Sequence, residues 1–124
     1  MSYQIIISEK EKCLIVTYKK NLAITECLDI VEEIREILCE MHWNRIIIDT
    51  RSQSESFSLI DKYGLSRKTA DLFPKGTRLA LITLNQREEE INLNRMILLE
   101  SGIALEIFQE YEKAVEWLLQ EKIE

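Results

Sequence analysis

A chain of 124 residues, 46% hydrophobic and 31% charged, has the size and balance of one globular domain able to bury its own core. Its net charge of −6 arises in residues 84–124, where 10 acidic side chains face 4 basic ones; residues 1–83 carry 12 of each. With no basic cluster the chain lacks what phosphate backbones and anionic lipid require, which excludes nucleic acid as a partner, and no apolar stretch reaches the ~20 residues of a membrane span.

Two β-rich runs, Tyr3–Ser8 and Cys13–Tyr18, flank the charged Glu9-Lys10-Glu11-Lys12 and predict a hairpin. A helix follows, with Thr25 as its expected N-cap. Cys27, Val31, Ile34, Leu38 and Met41 alternate at spacings of four and three, an amphipathic stripe. Arg45–Asp49 contains three consecutive isoleucines, the mark of a central strand covered on both faces. The connection after it holds serines at 52, 54, 56 and 58. Ser58-Leu59-Ile60-Asp61 has the pattern of a helix start with Ser58 as N-cap. Leu59, Tyr63, Ala70 and Phe73 are expected on the buried side of that second helix, which Pro74 ends. Arg78–Thr83 reads as another buried strand and 86–101 as a third helix, with Glu88, Glu89 and Glu90 complementing its dipole. Gly102 suits a left-handed terminator. Ile103–Phe108 is the last strand, and Tyr111, Ala114, Val115, Trp117, Leu118 and Leu119 mark a final helix. The order β-β-α-β-α-β-α-β-α predicts a single α/β domain with a largely parallel or mixed sheet.

No motif for catalysis stands out. His42 is the lone histidine, and no cysteine pair has zinc-site spacing, so no metal site is expected. There is no Gly-x-Ser-x-Gly elbow, and the glycines at 64, 76 and 102 form no phosphate-cradling loop, so neither an enzyme nor a cofactor is predicted. The acidic runs Glu32-Glu33 and Glu88-Glu89-Glu90 spread around helices rather than converging. Cys13, Cys27 and Cys39, odd in number and widely spaced, are expected to be buried free thiols in a reducing, cytoplasmic setting. The amino-terminal Met1-Ser2-Tyr3-Gln4 does not form a basic-then-apolar secretion signal.

The serine-rich connection has the best physical case for function. It joins the carboxyl end of a central strand to a helix start, where open α/β sheets place ligands. There a hydroxyl faces unpaired backbone N–H groups and the positive end of the helix dipole, so a phosphate would be held favourably while Glu55 and Asp61 opposed it. Alternatively Ser58 caps the helix and the other serines solvate a loop. The candidate interaction or modification residues are Ser58, Ser56, Asp49, Arg51 and Asp61. An enzyme would instead need polar groups converging around Asp49, Arg51 and the serines.

The hairpin, "RIIIDTRSQSESFSLIDKYGL", "FPKGTRLALIT" and "SGIALEIFQEYEKAVEWLL" together resemble the STAS family, the fold of anti-sigma-factor antagonists, and especially its stand-alone bacterial relatives. The resemblance covers nearly the whole chain and rests on topology and hydrophobic pattern. It implies a four- to five-stranded mixed sheet with helices mainly on one face, and a regulatory or protein-interaction role without chemistry. In the antagonists a serine at the start of the second helix is phosphorylated by a partner kinase that the unphosphorylated form binds; the matching position is Ser58, or Ser56 in a shifted register. The usual glycine soon after that serine is missing, since Leu59-Ile60 follow Ser58 and the next glycine is Gly64. Some relatives resemble the CRAL-TRIO lipid-binding fold, which implies a small apolar ligand as the alternative, in a pocket between sheet and helices near Phe57, Tyr63 and Phe73. A homodimer is a further expectation if an apolar side of the hairpin or a terminal helix is exposed.

Overall fold

The computed structural model describes residues 2–54, 57–84 and 87–120. Its elements are β1 (Tyr3–Ser8), β2 (Cys13–Tyr18), α1 (Ile24–Met41), β3 (Arg45–Asp49), α2 (Leu59–Leu72), β4 (Arg78–Ile82), α3 (Glu88–Glu100), β5 (Ala104–Phe108) and α4 (Tyr111–Leu118). This is the expected α/β order. The five strands pair in sequence order, β1 antiparallel to β2 and the rest parallel, giving a mixed sheet. Three β-α-β crossovers stepping the same way across a sheet leave their helices on one face. Accordingly α1, α2 and α3 share one face and α4 covers the other.

Strand alternation assigns the faces. Leu14, Ile46, Leu79 and Leu105 form a row across four strands beneath α1–α3, each no more than 6% exposed. On the opposite face Cys13, Ile47, Ala80 and Ile82 pack against Ala114 and Leu118 of α4. The three consecutive isoleucines are thus explained: Ile46 and Ile48 point toward α1–α3, and Ile47 toward α4. Covering both faces of β3 demands an unbroken apolar run.

Four expectations are corrected by local chemistry. Helix α1 begins at Ile24 with Ala23 as N-cap, so Thr25 lies inside its first turn. Ala23 has no side-chain acceptor; instead its own N–H donates to Glu26 Oε1 at 3.0 Å, the back-bond that the third helical residue makes in a capping box. The buried stripe of α1 includes Ile30, whereas Met41 is only half-buried in the last turn. Leu59 and Tyr63 of α2 are exposed, while Ala70 and Phe73 are buried as expected. The inward positions of α2 are 62, 65, 66, 69, 70 and 73, and in its first half these include Lys62 and Ser66. Cys39 is exposed on α1, one residue beyond the buried Leu38, so the expectation of a buried thiol holds for Cys13 and Cys27 alone. Desolvation pushes the thiols of Cys13 and Cys27 above their ordinary value. Gly102 takes a positive φ of 79° at the end of α3, the left-handed terminator its type predicts.

Candidate functional site

The connection after β3 is tied down by hydrogen bonds rather than left as a solvated loop. Thr50 donates to the Ile82 carbonyl through both its N–H, at 2.8 Å, and its hydroxyl, at 3.0 Å. Gln53 Oε1 accepts from the Leu22 N–H at 2.8 Å, mimicking a strand partner for the segment before α1. Asn21 and Ser54 clasp each other, the Ser54 N–H donating to Asn21 Oδ1 at 2.7 Å and Asn21 Nδ2 donating to Ser54 Oγ at 3.1 Å. Ser54 is therefore a structural clasp between two loops. Ser56 lies outside the described residues.

Ser58 is exposed and caps α2, its Oγ accepting from the Asp61 N–H at 3.2 Å. Ser58→Ala is expected to lower stability by about 1 kcal/mol, the ordinary value of such a cap, whereas Ser58→Asp retains an acceptor and loses only a few tenths. Urea denaturation checks this; equal losses for both variants would show that the cap contributes nothing.

Asp49 and Arg51 form a closed unit. Arg51 donates from Nη2 to Asp49 Oδ2 at 2.7 Å, from Nε to Oδ1 at 3.0 Å and from its backbone N–H to Oδ1 at 3.1 Å. Desolvation pushes the Asp49 carboxyl upward, but the Arg51 hydrogen bonds and charge outweigh it and hold the group below the usual carboxylate range. By strand alternation Asp49 shares its face with Ile47, the face that α4 covers, and the nearby groups that sense these charges are Tyr111 and Glu112. Ser58 and Asp61 belong to α2 on the opposite face. The candidate residues therefore divide into two unrelated places, and no cluster of Asp49, Arg51 and serines assembles among the described residues.

What the fold does build is a half-open cavity of about 230 Å³ between the sheet and α1–α3. Ile48, Leu81 and Ile107 form a row across β3, β4 and β5 and line its floor. Phe57 and Leu65 stand over them, and Ile34 and Leu98 reach in from α1 and α3. Of the three aromatic residues expected around a pocket, Phe57 lines it, Tyr63 points to solvent and Phe73 is buried in the core instead.

Polar groups gather where β3 and β4 end and α2 and α3 begin. Lys62 of α2 meets Glu90 of α3 at 2.7 Å, and one turn further along both helices Ser66 Oγ donates to Asn94 Oδ1 at 2.7 Å. Arg87, at the N-cap of α3, approaches Glu90 Oε1 at 3.9 Å. The hydrogen bond from Lys62 holds the Glu90 carboxyl below its ordinary value. Thr50, Gln53 and Thr83 complete this rim. The matched spacing of Lys62 with Ser66 and Glu90 with Asn94, each i and i+4, was the available sequence signal, because polar side chains at inward helical positions must face one another or a ligand. Among the described residues no group of three or more His, Cys, Asp or Glu side chains is placed to hold a metal ion, and no helix is long and apolar enough to cross a membrane.

Fold and cavity together define an α/β domain in which three helices roof an apolar chamber with a polar rim. No protein-family model matches the chain, and no curated protein matches it.

Proposed function

We propose that this chain is a non-enzymatic binding module that holds a small, mainly apolar molecule between its sheet and helices α1–α3. The observation that carries this is the 230 Å³ cavity floored by Ile48, Leu81 and Ile107. Were it fully enclosed and dry, apolar space of that size would cost about 5.5 kcal/mol at ~24 cal/mol per Å³, comparable to the whole stability of a marginal domain, and the open side lowers that figure. An apolar guest recovers those contacts, and the polar rim supplies orientation, the usual design of a small-molecule site. The free thiols support a cytoplasmic setting for it.

Titration with the neutral fluorophore naphthylamine, whose emission rises in apolar surroundings, tests the proposal. Saturable one-to-one binding with Kd below about 1 mM is expected. A flat titration would refute it.

A second role is favoured by a separate observation: Leu59, Ile60 and Tyr63 are exposed beside Ser58, with Ile60 82% exposed. Apolar groups displayed around a capped serine fit a STAS-like regulatory surface for a protein partner. Because Ser58→Asp preserves the cap, loss of a partner captured by the wild type would report added charge rather than unfolding. No partner for either form counts against this role.

A further inference from the structure

We infer that the molecule held in the cavity is an amphiphile with one carboxylate, its head at Lys62 and Arg87 and its apolar body over Ile48 and Leu81. The inference rests on the cavity proposal and adds the chemistry of the ligand. Among the described residues three charged side chains line the cavity, and all three stand at the rim: Lys62, Arg87 and Glu90. Lys62 and Glu90 neutralise each other at 2.7 Å, whereas Arg87 reaches Glu90 with one nitrogen at 3.9 Å. Most of the Arg87 donor fork is therefore uncommitted among the described residues. Its planar geometry suits a carboxylate, which it can bind with two parallel hydrogen bonds.

Among the described residues the rim carries one net positive charge, which one carboxylate neutralises. An ammonium would instead add a third cation beside a single carboxylate that Lys62 already occupies. Helices α2 and α3 both begin at this end, and their N-terminal dipoles add partial positive charge in the same direction. Glu88 and Glu89, also in the first turn of α3, are exposed and do not line the cavity. Their field on the rim is screened by water and salt.

Size bounds the body of the ligand. A cavity of roughly 150 Å³ accommodates benzene, so scaling to 230 Å³ gives room for roughly nine or ten enclosed non-hydrogen atoms, and the open side lets one or two more, as in naphthylamine, stand at the rim. A medium-chain fatty acid or a one-ring aryl acid meets that limit.

Competition against bound naphthylamine by octanoate, octanol and octylamine, equal in chain length and different in head, tests the inference. Octanoate should displace the fluorophore at about tenfold lower concentration than octanol, with octylamine weakest. Arg87→Gln, at an exposed position, and Lys62→Met should each bring octanoate close to octanol. Glu90→Gln, which removes the competing carboxylate, should tighten octanoate several-fold. If naphthylamine binds but octanol or octylamine competes as well as octanoate, the carboxylate head is refuted and the cavity proposal stands. If naphthylamine itself does not bind, both fall together.

Discussion

Leu81→Trp is expected to weaken naphthylamine binding by at least about 30-fold, close to 2 kcal/mol, while leaving the melting temperature unchanged or raised. The reason lies in two successive rows on one face of the sheet. Ile46, Leu79 and Leu105 pair across β3, β4 and β5 and are 0%, 5% and 6% exposed. Two residues further along the same strands, Ile48, Leu81 and Ile107 pair in the same register yet are each only half-buried. The helices close over the first row, of which Leu79 and Leu105 edge the cavity, and leave the half-buried second row facing it. Leu81 is the middle of that second row, so an indole there projects into the space a ligand would use. Filling a void stabilises by about 0.5–2 kcal/mol, and overpacking a solid core costs about 1–3 kcal/mol, so the stability readout separates the two cases. Wild-type affinity in the folded variant would show that the fluorophore binds elsewhere. A large loss of stability would show that the space is not open to the indole.

Most of the architecture was legible because single residues report local constraints. Ile46-Ile47-Ile48 could belong only to a strand covered twice, and α4, with Ala114 and Leu118 fully buried, supplies the second cover. Ser58 and Asp61 fixed the start of α2, and Gly102 the end of α3. The start of α1 was misplaced because Thr25 has the chemistry of a cap, whereas Glu26 folding back onto Ala23 satisfies that end.

The site was harder to see, for two physical reasons. A cavity is a spacing between layers and belongs to no residue type, and the phase of α2 hides it. Leu59 and Tyr63 look like the buried side of a helix but are exposed, while the inward positions of that half are Lys62, Leu65 and Ser66. Only the salt bridge to Glu90 and the hydrogen bond to Asn94, 28 residues away in each case, make those polar positions tolerable inside. The separation of Asp49 from Ser58 was available in principle. Asp49 falls two residues after Ile47 and must share its face, so proximity in sequence to the serines did not imply proximity of side chains.

The other large effect falls on the opposite face, where Leu118→Ala is expected to cost about 3 kcal/mol, within the roughly 2–5 kcal/mol seen for buried leucines. Helix α4 has 8 residues, too few to be stable alone, so it exists as a helix through what it buries. Ala114 and Leu118 are fully buried against Ile47, Ala80 and Ile82, and the small Ala80 and Ala114 let helix and sheet approach closely. A strand residue completes the attachment: Arg78 donates to the carbonyls of Trp117 and Gln120, each at 2.6 Å, and its guanidinium lies 4.4 Å from the centre of the Trp117 ring. Those bonds reinforce the end of α4, where the Trp117 carbonyl also accepts the Gln120 N–H at 3.3 Å. They hold the end of α4 in place around Leu118, so the sheet cannot collapse into the space a truncated side chain leaves. Poor relaxation leaves a cavity behind and keeps the cost above the bare transfer value of the removed atoms. Of the two tryptophans, Trp117 reports on α4 and Trp43 on the face of α1–α3. In a Trp43→Phe background, urea titration followed by Trp117 fluorescence and by far-ultraviolet dichroism should therefore shift together to lower midpoint with an unchanged slope. Fluorescence moving ahead of dichroism would instead mean that α4 detaches first, and a loss under about 1 kcal/mol would show that Leu118 does not anchor it.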